Sequence, residues 1–546
     1  MILKDKPDQS TPSLSRRAFL KRLGLTIGQA ALVFACGPRL LRIRGQRFDS
    51  IISGGEIIDG SGNAAYQADL GIRDGRIQVI GDLEGNQCEQ WIDARGLAVA
   101  PGFIDIHSHS DTTIATWPEA WSKIYQGVTS EIIGQDGRSL FPGQGATNAA
   151  AAQEMHSQLL QRGVGVNLRT MIGAGSLRAV VIGGQERKAS QAEIEQMQTI
   201  LQTGMQAGAW GLSSGLEYLP GAYADIAELS ALARTAGIYS THMRNEDDFV
   251  ISAIDEAILI ASQARVRLHI SHIKAQGRPN WPKLEEMLGL LNRARATLPF
   301  VSCDRYPYLA YNTRLANLFP FELRPSPSAL ALFLQSRNNR KIIREQVHYK
   351  IDSLGGYKGI LLNQVPGNRF GHLSGLSLAE SALRESRDPW QLLCDILVEN
   401  QGEGPMVGFG MDAENLTRLL QYPWCAIASD GAALRAGQFP GAHPRNFGSF
   451  PEVLGHYVRE RGILSLEQAI YKMTGLPAEI MQIQKRGRIQ RHWAADLVVF
   501  DPDQIQSRAT YAEPDRYPRG IAHVLVNGRP AILDGQHTGG LYGTII

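Results

Sequence analysis

The chain has 546 residues, 43% of them hydrophobic and 20% charged, with a formal net charge of +2. This is ordinary globular composition, and the length calls for one large domain with a smaller second unit and inserted elements rather than one simple core. With a balanced charge, no long basic tract and no aromatic RNA-binding signature, the sequence excludes nucleic acid and acidic macromolecules as expected partners.

At the N-terminus, Ser15-Arg16-Arg17-Ala18-Phe19-Leu20-Lys21 precedes a mildly apolar stretch at 23–35. The pattern resembles a twin-arginine signal, which exports folded proteins in bacteria. The stretch is too short to span a bilayer in the ordinary way. Val33-Phe34-Ala35-Cys36 is similar to a lipoprotein cleavage box, so Cys36 is a candidate for lipidation and the expected location is periplasmic or membrane-anchored. A plain basic arm is the alternative. The other cysteines, Cys88, Cys303, Cys394 and Cys425, are far apart, without a C-x-x-C pair, and are expected to pack.

After a linker at 37–47, short strands separated by Gly and Asp turns run from 48 to about 100, and the same texture returns at 484–546. Both ends together are expected to form one small β-sandwich. Between them, at 101–483, strands are expected at 102–106, 129–133, 167–172, 209–212, 238–241, 267–270, 300–303 and 425–428, with helices such as 191–206, 225–236 and 247–264. Such alternation predicts a parallel sheet with right-handed crossovers, and eight repeats predict a closed (β/α)8 barrel. An excursion at about 321–402 is too long for a loop and is expected to be an inserted subdomain over the barrel mouth.

The strongest chemical signal is Pro101-Gly102-Phe103-Ile104-Asp105-Ile106-His107-Ser108-His109, an apolar strand that delivers two imidazoles on one face toward one cation. His242, His272 and Asp430 each stand just beyond a later apolar strand. A closed barrel gathers its C-terminal strand ends in one ring, so these residues would converge. His269 is one pleat out of phase with His272 and is expected to pack or face the surface.

Several segments in this order resemble the amidohydrolase superfamily, and within it the D-aminoacylase (N-acyl-D-amino-acid deacylase) family. They are 101–111, Gly211 to Tyr218, Thr241-His242-Met243-Arg244-Asn245-Glu246, Ile270 to Lys274, Asp304-Arg305-Tyr306-Pro307-Tyr308, Ser429-Asp430-Gly431 and His443-Pro444-Arg445. The likeness covers roughly residue 48 to the C-terminus. It implies one or two zinc ions, with manganese or another divalent ion as an alternative, held by His107 and His109 on one side and His242 and His272 on the other. It further implies hydrolysis of a linear amide, an N-acyl-D-amino acid, by a metal-bound hydroxide with Asp430 as general base. Tyr218, Lys274, Tyr306 and Arg445 would bind the substrate, Arg445 through its carboxylate. Where the best-known members carry a bridging cysteine, this chain has Asp136. Glu217 after strand four is the favoured bridge and Asp136 its rival. Two further readings are a cyclic-amide hydrolase of the dihydroorotase or hydantoinase kind and an exported metal-binding protein without catalysis. The first usually needs a lysine after strand four, which 209–218 lacks.

Overall fold

The computed structural model describes residues 41–42, 44–143, 148–324, 326–367, 369–439 and 441–546. Arg16, Arg17 and Cys36, on which the export and lipidation expectations fall, lie outside the described residues. Among the described residues no helix is long and apolar enough to cross a membrane.

Eight parallel strand positions form the centre. They are β1 (Phe103–Asp105), β2 (Val128–Ile133), β3 (Asn167–Thr170 and Ile172–Gly173), β4 (Leu212–Gly215), β5 (Ile238–His242), β6 (Arg267–Ile270), β7 (Val301–Arg305) and β8 (Cys425–Ile427). The chain breaks step at Met171, so the first segment of β3 pairs with β2 and the second with β4. This divides the strands into sheets of three and six. The outer ends of the two sheets meet beyond β1 and β8. Ser108 and Gly431 form a parallel bridge there, the Asp430 amide donates to the His107 carbonyl at 3.0 Å, and the His109 amide donates to the Gly431 carbonyl at 2.9 Å.

Helices Gln191–Gln206, Ile226–Ala236, Val250–Ala264 and Leu284–Ala294 fall between successive strands. Gln191–Gln206 starts at a Ser190/Glu193 capping box that satisfies two of its free amides. Its apolar stripe, Ile194, Met197, Ile200 and Leu201, enters the same core as Leu212, Tyr239 and Leu268 from the strands.

β4 lies three residues later than its apolar pattern predicts. Ser213 and Ser214 are fully buried in the strand. The Ser213 hydroxyl donates to the Gly134 carbonyl at 2.6 Å, and the Ser214 and Tyr239 hydroxyls share a 2.8 Å hydrogen bond. Polar residues satisfied in this way can occupy a strand core without an apolar signature.

The two chain ends form two further sheets. The five-stranded one is entirely N-terminal, in the order Leu41–Arg42, Arg76–Asp82, Asp69–Arg73, Arg47–Ser53 and Gln87–Asp93. The seven-stranded one joins Leu497–Phe500 and the strands after it to Ala98–Pro101, Glu56–Ile57 and Tyr66–Gln67. Ile52, Leu70 and Ile72 of the first sheet share an apolar core with Val99, Leu497 and Val499 of the second. Ala98–Pro101 thus anchors one end of β1 to the C-terminal sheet before the strand carries its histidines forward.

Between β7 and β8 stands a separate layer. Pro405–Gly408 is flanked antiparallel by Tyr311–Arg314 and Ile360–Leu362, and helices including Pro327–Gln335, Arg337–Ser353 and Pro389–Glu399 cover it. The layer is therefore wider than the 321–402 expected. Tyr311–Arg314 has no strand pattern of its own, and its pairing is made only by contact with a segment some ninety positions later. The layer's core runs from Trp390 to Tyr306 and Tyr311, next to the end of β7.

Candidate metal centre

The strand ends bring His107, His109, Asp136, His242, His272 and Asp430 together. His107 and His109 follow β1, Asp136 follows β2, His242 is the last residue of β5, His272 follows β6 and Asp430 follows β8. Three of these stand at positive φ, namely Asp136 (52°), His272 (33°) and Asp430 (49°). Non-glycine residues in this region cost about 1–3 kcal/mol each and gather at functional sites. The chain turns sharply at each strand end and so aims the side chain inward.

Asp136 occupies the centre. Its carboxylate oxygens lie 3.4 Å from His107 Nε2, 3.4 Å from His109 Nε2, 3.4 Å from His272 Nε2 and 3.7 Å from His242 Nδ1. Its loop sits this deep because β4 ends in Gly215, where a Cβ would fall 2.1 Å from the Asp136 carbonyl oxygen. Glu217 takes a different place. Its carboxylate lies 3.3 Å from His242 Nε2, the face of that ring turned away from Asp136. Asp136, rather than the favoured Glu217, belongs to both the His107/His109/Asp430 group and the His242/His272 group, while Glu217 forms a third group with His242 and Glu246. Alternation along a strand shows which face a residue takes, but not how deeply the following loop folds inward.

The donor set fits a divalent cation. Imidazole nitrogens and carboxylate oxygens are ordinary zinc ligands, and the ligand atoms of each group lie within 4.8 Å of one another. Among the described residues, both ring nitrogens of His107 and Oδ1 of Asp136 are buried without an aligned hydrogen-bond partner. Leaving such atoms unsatisfied costs about 1–3 kcal/mol apiece, a penalty that coordination would remove at one nitrogen of His107 and at the Asp136 oxygen.

The charges are tightly coupled. Burial alone would lower the histidines, but the acids reverse it. Asp136 and Asp430 lift His109 to about 9, Glu246 together with Asp136 and Glu217 lifts His242 to about 10, and Asp136 and Asp304 raise His107 well above its usual value. Burial likewise opposes ionisation of Asp136, yet His107 and His272 hold it well below the usual carboxylate range. Asp430 is also kept ionised against burial, chiefly by Arg445 and then by His272. Its Oδ1 lies 3.1 Å from His109 Nε2, and its Oδ2 accepts from Arg445 Nη1 at 2.6 Å.

The expected substrate-binding residues reach the site with different partners from those foreseen. Arg445 is 7% exposed and pairs with Asp430. Lys274, 3% exposed, donates to Glu246 Oε1 at 2.5 Å and lies 2.9 Å from His272 Nδ1. Tyr306 is fully buried, its hydroxyl has no hydrogen-bond partner among the described residues, and the Arg445 guanidinium stands 5.1 Å from its ring centre. Tyr218 packs on His242 with ring centres 4.7 Å apart. Burial and then Asp136 push its phenol well above the usual value, so it remains a hydrogen-bond donor. His109 and Glu217, with side chains 30% and 26% exposed, open the cluster to solvent.

Sequence reasoning assigned no role to several buried supports. His269 is buried rather than exposed, with Nε2 2.8 Å from Asp304 Oδ2 and Nδ1 2.9 Å from Ser302 Oγ. Asp304 also accepts the His272 amide at 2.9 Å. Lys123 is fully buried and donates to Asp105 at 2.7 Å, Ser429 Oγ at 2.8 Å and the Gly431 carbonyl at 3.0 Å. It thereby ties β1 to the segment carrying Asp430. Asp304 and Glu246 lie inside motifs recognised as such, so their positions were visible although their contacts were not. Lys123, on the short helix Trp121–Ile124, carried no signal.

A model for the "Amidohydrolase family" matches residues 90–302 and 414–532. D-aminoacylase of Alcaligenes xylosoxydans xylosoxydans is 35% identical over 90% of this chain and 97% of that relative. N-acyl-D-glutamate deacylase of the same organism is 34% identical over 88% and 93%. Among solved structures, N-acyl-D-glutamate deacylase from Bordetella bronchiseptica, complexed with zinc and a phosphonate mimic of the reaction's tetrahedral intermediate, gives a TM-score of 0.77 at 32% identity, covering 92% of this chain and 99% of that one. A D-aminoacylase structure addressing its binuclear metal centre gives 0.76 at 32%, covering 91% and 99%. A D-hydantoinase at 17% identity and a TM-score of 0.54 shares the fold alone. With the family match spanning more than half of the chain and full-length relatives above 30% identity, this chain belongs to the amidohydrolase family, in the branch of the D-aminoacylases.

Proposed function

We propose that the protein hydrolyses N-acyl-D-amino acids, cleaving a linear amide to a carboxylate and a free D-amino acid. The observation that carries this reading is Asp430, an ionised carboxylate set 3.1 Å from His109 Nε2 and 3.8 Å from His107 Nε2 at the edge of the histidine cluster. A metal site with a purely structural purpose closes its ligand sphere and needs no base beside it. His107, His109, Asp136, His242 and His272 would hold the metal, zinc as in the Bordetella relative. Such a cation, when bound, acidifies a water and polarises an acyl carbonyl. Asp430 takes the proton from the water that attacks the carbonyl carbon. Arg445 fixes its second oxygen, so the accepting Oδ1 keeps one orientation. As the carbon–nitrogen bond breaks, Asp430 returns that proton to the amine nitrogen, which leaves as the neutral amine. Tyr218 is placed to donate to the carbonyl oxygen as charge develops on it.

We also read the eight central strands as one closed (β/α)8 barrel, with the two end sheets as a β-sandwich beside it. The Ser108–Gly431 bridge supports closure because it links the first strand to the last.

The decisive assay presents the full-length, metal-loaded protein with N-acetyl-D-amino acids, their L enantiomers and a set of hydantoins. Release of free amine from the D series is the expected result. Turnover confined to L substrates removes the stereochemical assignment, and turnover confined to hydantoins removes the linear-amide one.

Tyr306 offers a test of substrate binding that leaves the fold alone. Because its hydroxyl has no hydrogen-bond partner among the described residues, Tyr306→Phe should leave the melting temperature unchanged or slightly raised. One hydrogen bond to a charged group contributes about 1.5–3 kcal/mol. KM should therefore rise by roughly 10- to 100-fold with kcat nearly constant, as measured by steady-state kinetics.

We propose further that the protein is exported by the twin-arginine route and tethered through Cys36, a reading supported by Arg16, Arg17 and the segment 33–36. Fractionation of expressing bacteria should find it with membranes, and Cys36→Ala should move it to the soluble periplasmic fraction. Recovery of both forms in the cytosol would end this reading.

A further inference from the structure

His272 stands between two opposing influences. Its Nε2 faces the cluster, 3.0 Å from His242 Nδ1 and 3.4 Å from Asp136 Oδ2. Its Nδ1 faces away, 3.0 Å from Glu246 Oε1 and 2.9 Å from Lys274 Nζ. Lys274 Nζ in turn donates to Glu246 Oε1 at 2.5 Å. All three residues are buried, with relative exposures of 2% for His272, 3% for Lys274 and 4% for Glu246. The carboxylate is held in register because the Glu246 carbonyl accepts the Gln276 amide at 2.7 Å, which clamps its loop to the segment after His272.

A neutral imidazole has one proton and two nitrogens, and only the bare nitrogen can act as a ligand. With the proton on Nδ1, Glu246 Oε1 is the carboxylate oxygen within reach of it, and Nε2 presents its lone pair to the cluster. An ammonium group donating into Nδ1 forces the opposite tautomer, with the proton on Nε2 directed at Asp136 and His242. Lys274 is close enough to do this. Glu246 Oε1, 3.0 Å from Nδ1 and 2.5 Å from Lys274 Nζ, is a single oxygen placed to draw off both the ammonium and an Nδ1 proton. The other carboxylates behind ligand histidines are more distant: Glu217 is 3.3 Å from His242 Nε2, and Asp304 is 3.5 Å from His107 Nδ1.

We propose that Glu246 is a positioning residue that sets the His272 tautomer against Lys274, and so prepares Nε2 as a metal ligand. This rests on the metal reading above. Residues that orient ligand histidines in this manner typically change metal affinity by about 10- to 100-fold when replaced.

The test uses the full-length protein freed of metal, with zinc affinity read by competition against a chromophoric chelator and cobalt(II) absorption as a second readout. Wild type should bind. Glu246→Gln should bind about 10- to 100-fold more weakly, because the freed ammonium turns to Nδ1. Lys274→Met alone should stay near wild type. The double variant Glu246→Gln/Lys274→Met should regain most of the lost affinity and the wild-type cobalt spectrum, which a merely structural role for Glu246 would not produce. It also buries no unpaired charge, so it carries the test alone if the single variant does not fold: affinity within about tenfold of wild type supports the proposal, and a loss beyond about a hundredfold overturns it. A Glu246→Gln variant that binds like wild type overturns it as well. Failure of the wild type to take up metal would instead overturn the metal reading on which the proposal stands.

Discussion

Asp430→Asn is expected to lower kcat by about 100- to 10,000-fold while the protein still folds and still takes up metal. The substitution is chosen for its backbone: Asp430 sits at φ 49°, a region that Asn enters readily and Ala does not. The amide oxygen can still meet His109 Nε2 or Arg445 Nη1, the two partners of the carboxylate. What disappears is the negative charge and the capacity to take a proton. Steady-state kinetics on the metal-loaded variant, with metal content and melting temperature measured alongside, separates loss of the base from loss of the site. Activity within tenfold of wild type would mean that another group carries the proton, and the role assigned to Asp430 would fail.

The second large effect concerns Asp136. Asp136→Asn keeps the shape and tolerates the same left-handed backbone, φ 52°, but removes the anion lying 3.4–3.7 Å from a nitrogen of each of four histidines. An amide oxygen is a much poorer ligand than a carboxylate. Metal affinity should fall by more than the roughly 10- to 100-fold typical of a residue that only supports a ligand, and turnover should fall with it. Glu217→Gln is the matched control, because Glu217 lies against the outer nitrogen of His242. Its effect should stay within that 10- to 100-fold range. Metal titrations of both variants decide the matter: a tight-binding Asp136→Asn beside a metal-free Glu217→Gln would return the bridging role to Glu217.

Much of the architecture was legible because it is written in short-range patterns. Helices at Gln191–Gln206 and Ile226–Ala236 announce themselves by apolar periodicity and capping residues. The histidine and aspartate cluster was legible because parallel strands starting from one side must end on the other, so residues after apolar strands gather without any pairwise information. β4 lies later than its apolar pattern predicts because its core is made of hydroxyls, which find their partners, the Gly134 carbonyl and the Tyr239 hydroxyl, only in three dimensions.

Residue types and their order along the chain were therefore enough to name the family and to expect His107, His109, His242, His272 and Asp430 in one cluster. They could not choose between Asp136 and Glu217, because both acids follow a strand end and differ only in how their loops fold. Tertiary contact separates the two: Gly215 leaves room for the Asp136 loop to enter the ring of imidazoles, while Glu217 lies on the other side of His242. Tertiary contact likewise supplies Glu246 and His272 as the neighbours of Lys274, a pairing that the sequence did not name. A side chain's chemistry is local, but its partner depends on distances between strands that only the packed chain sets.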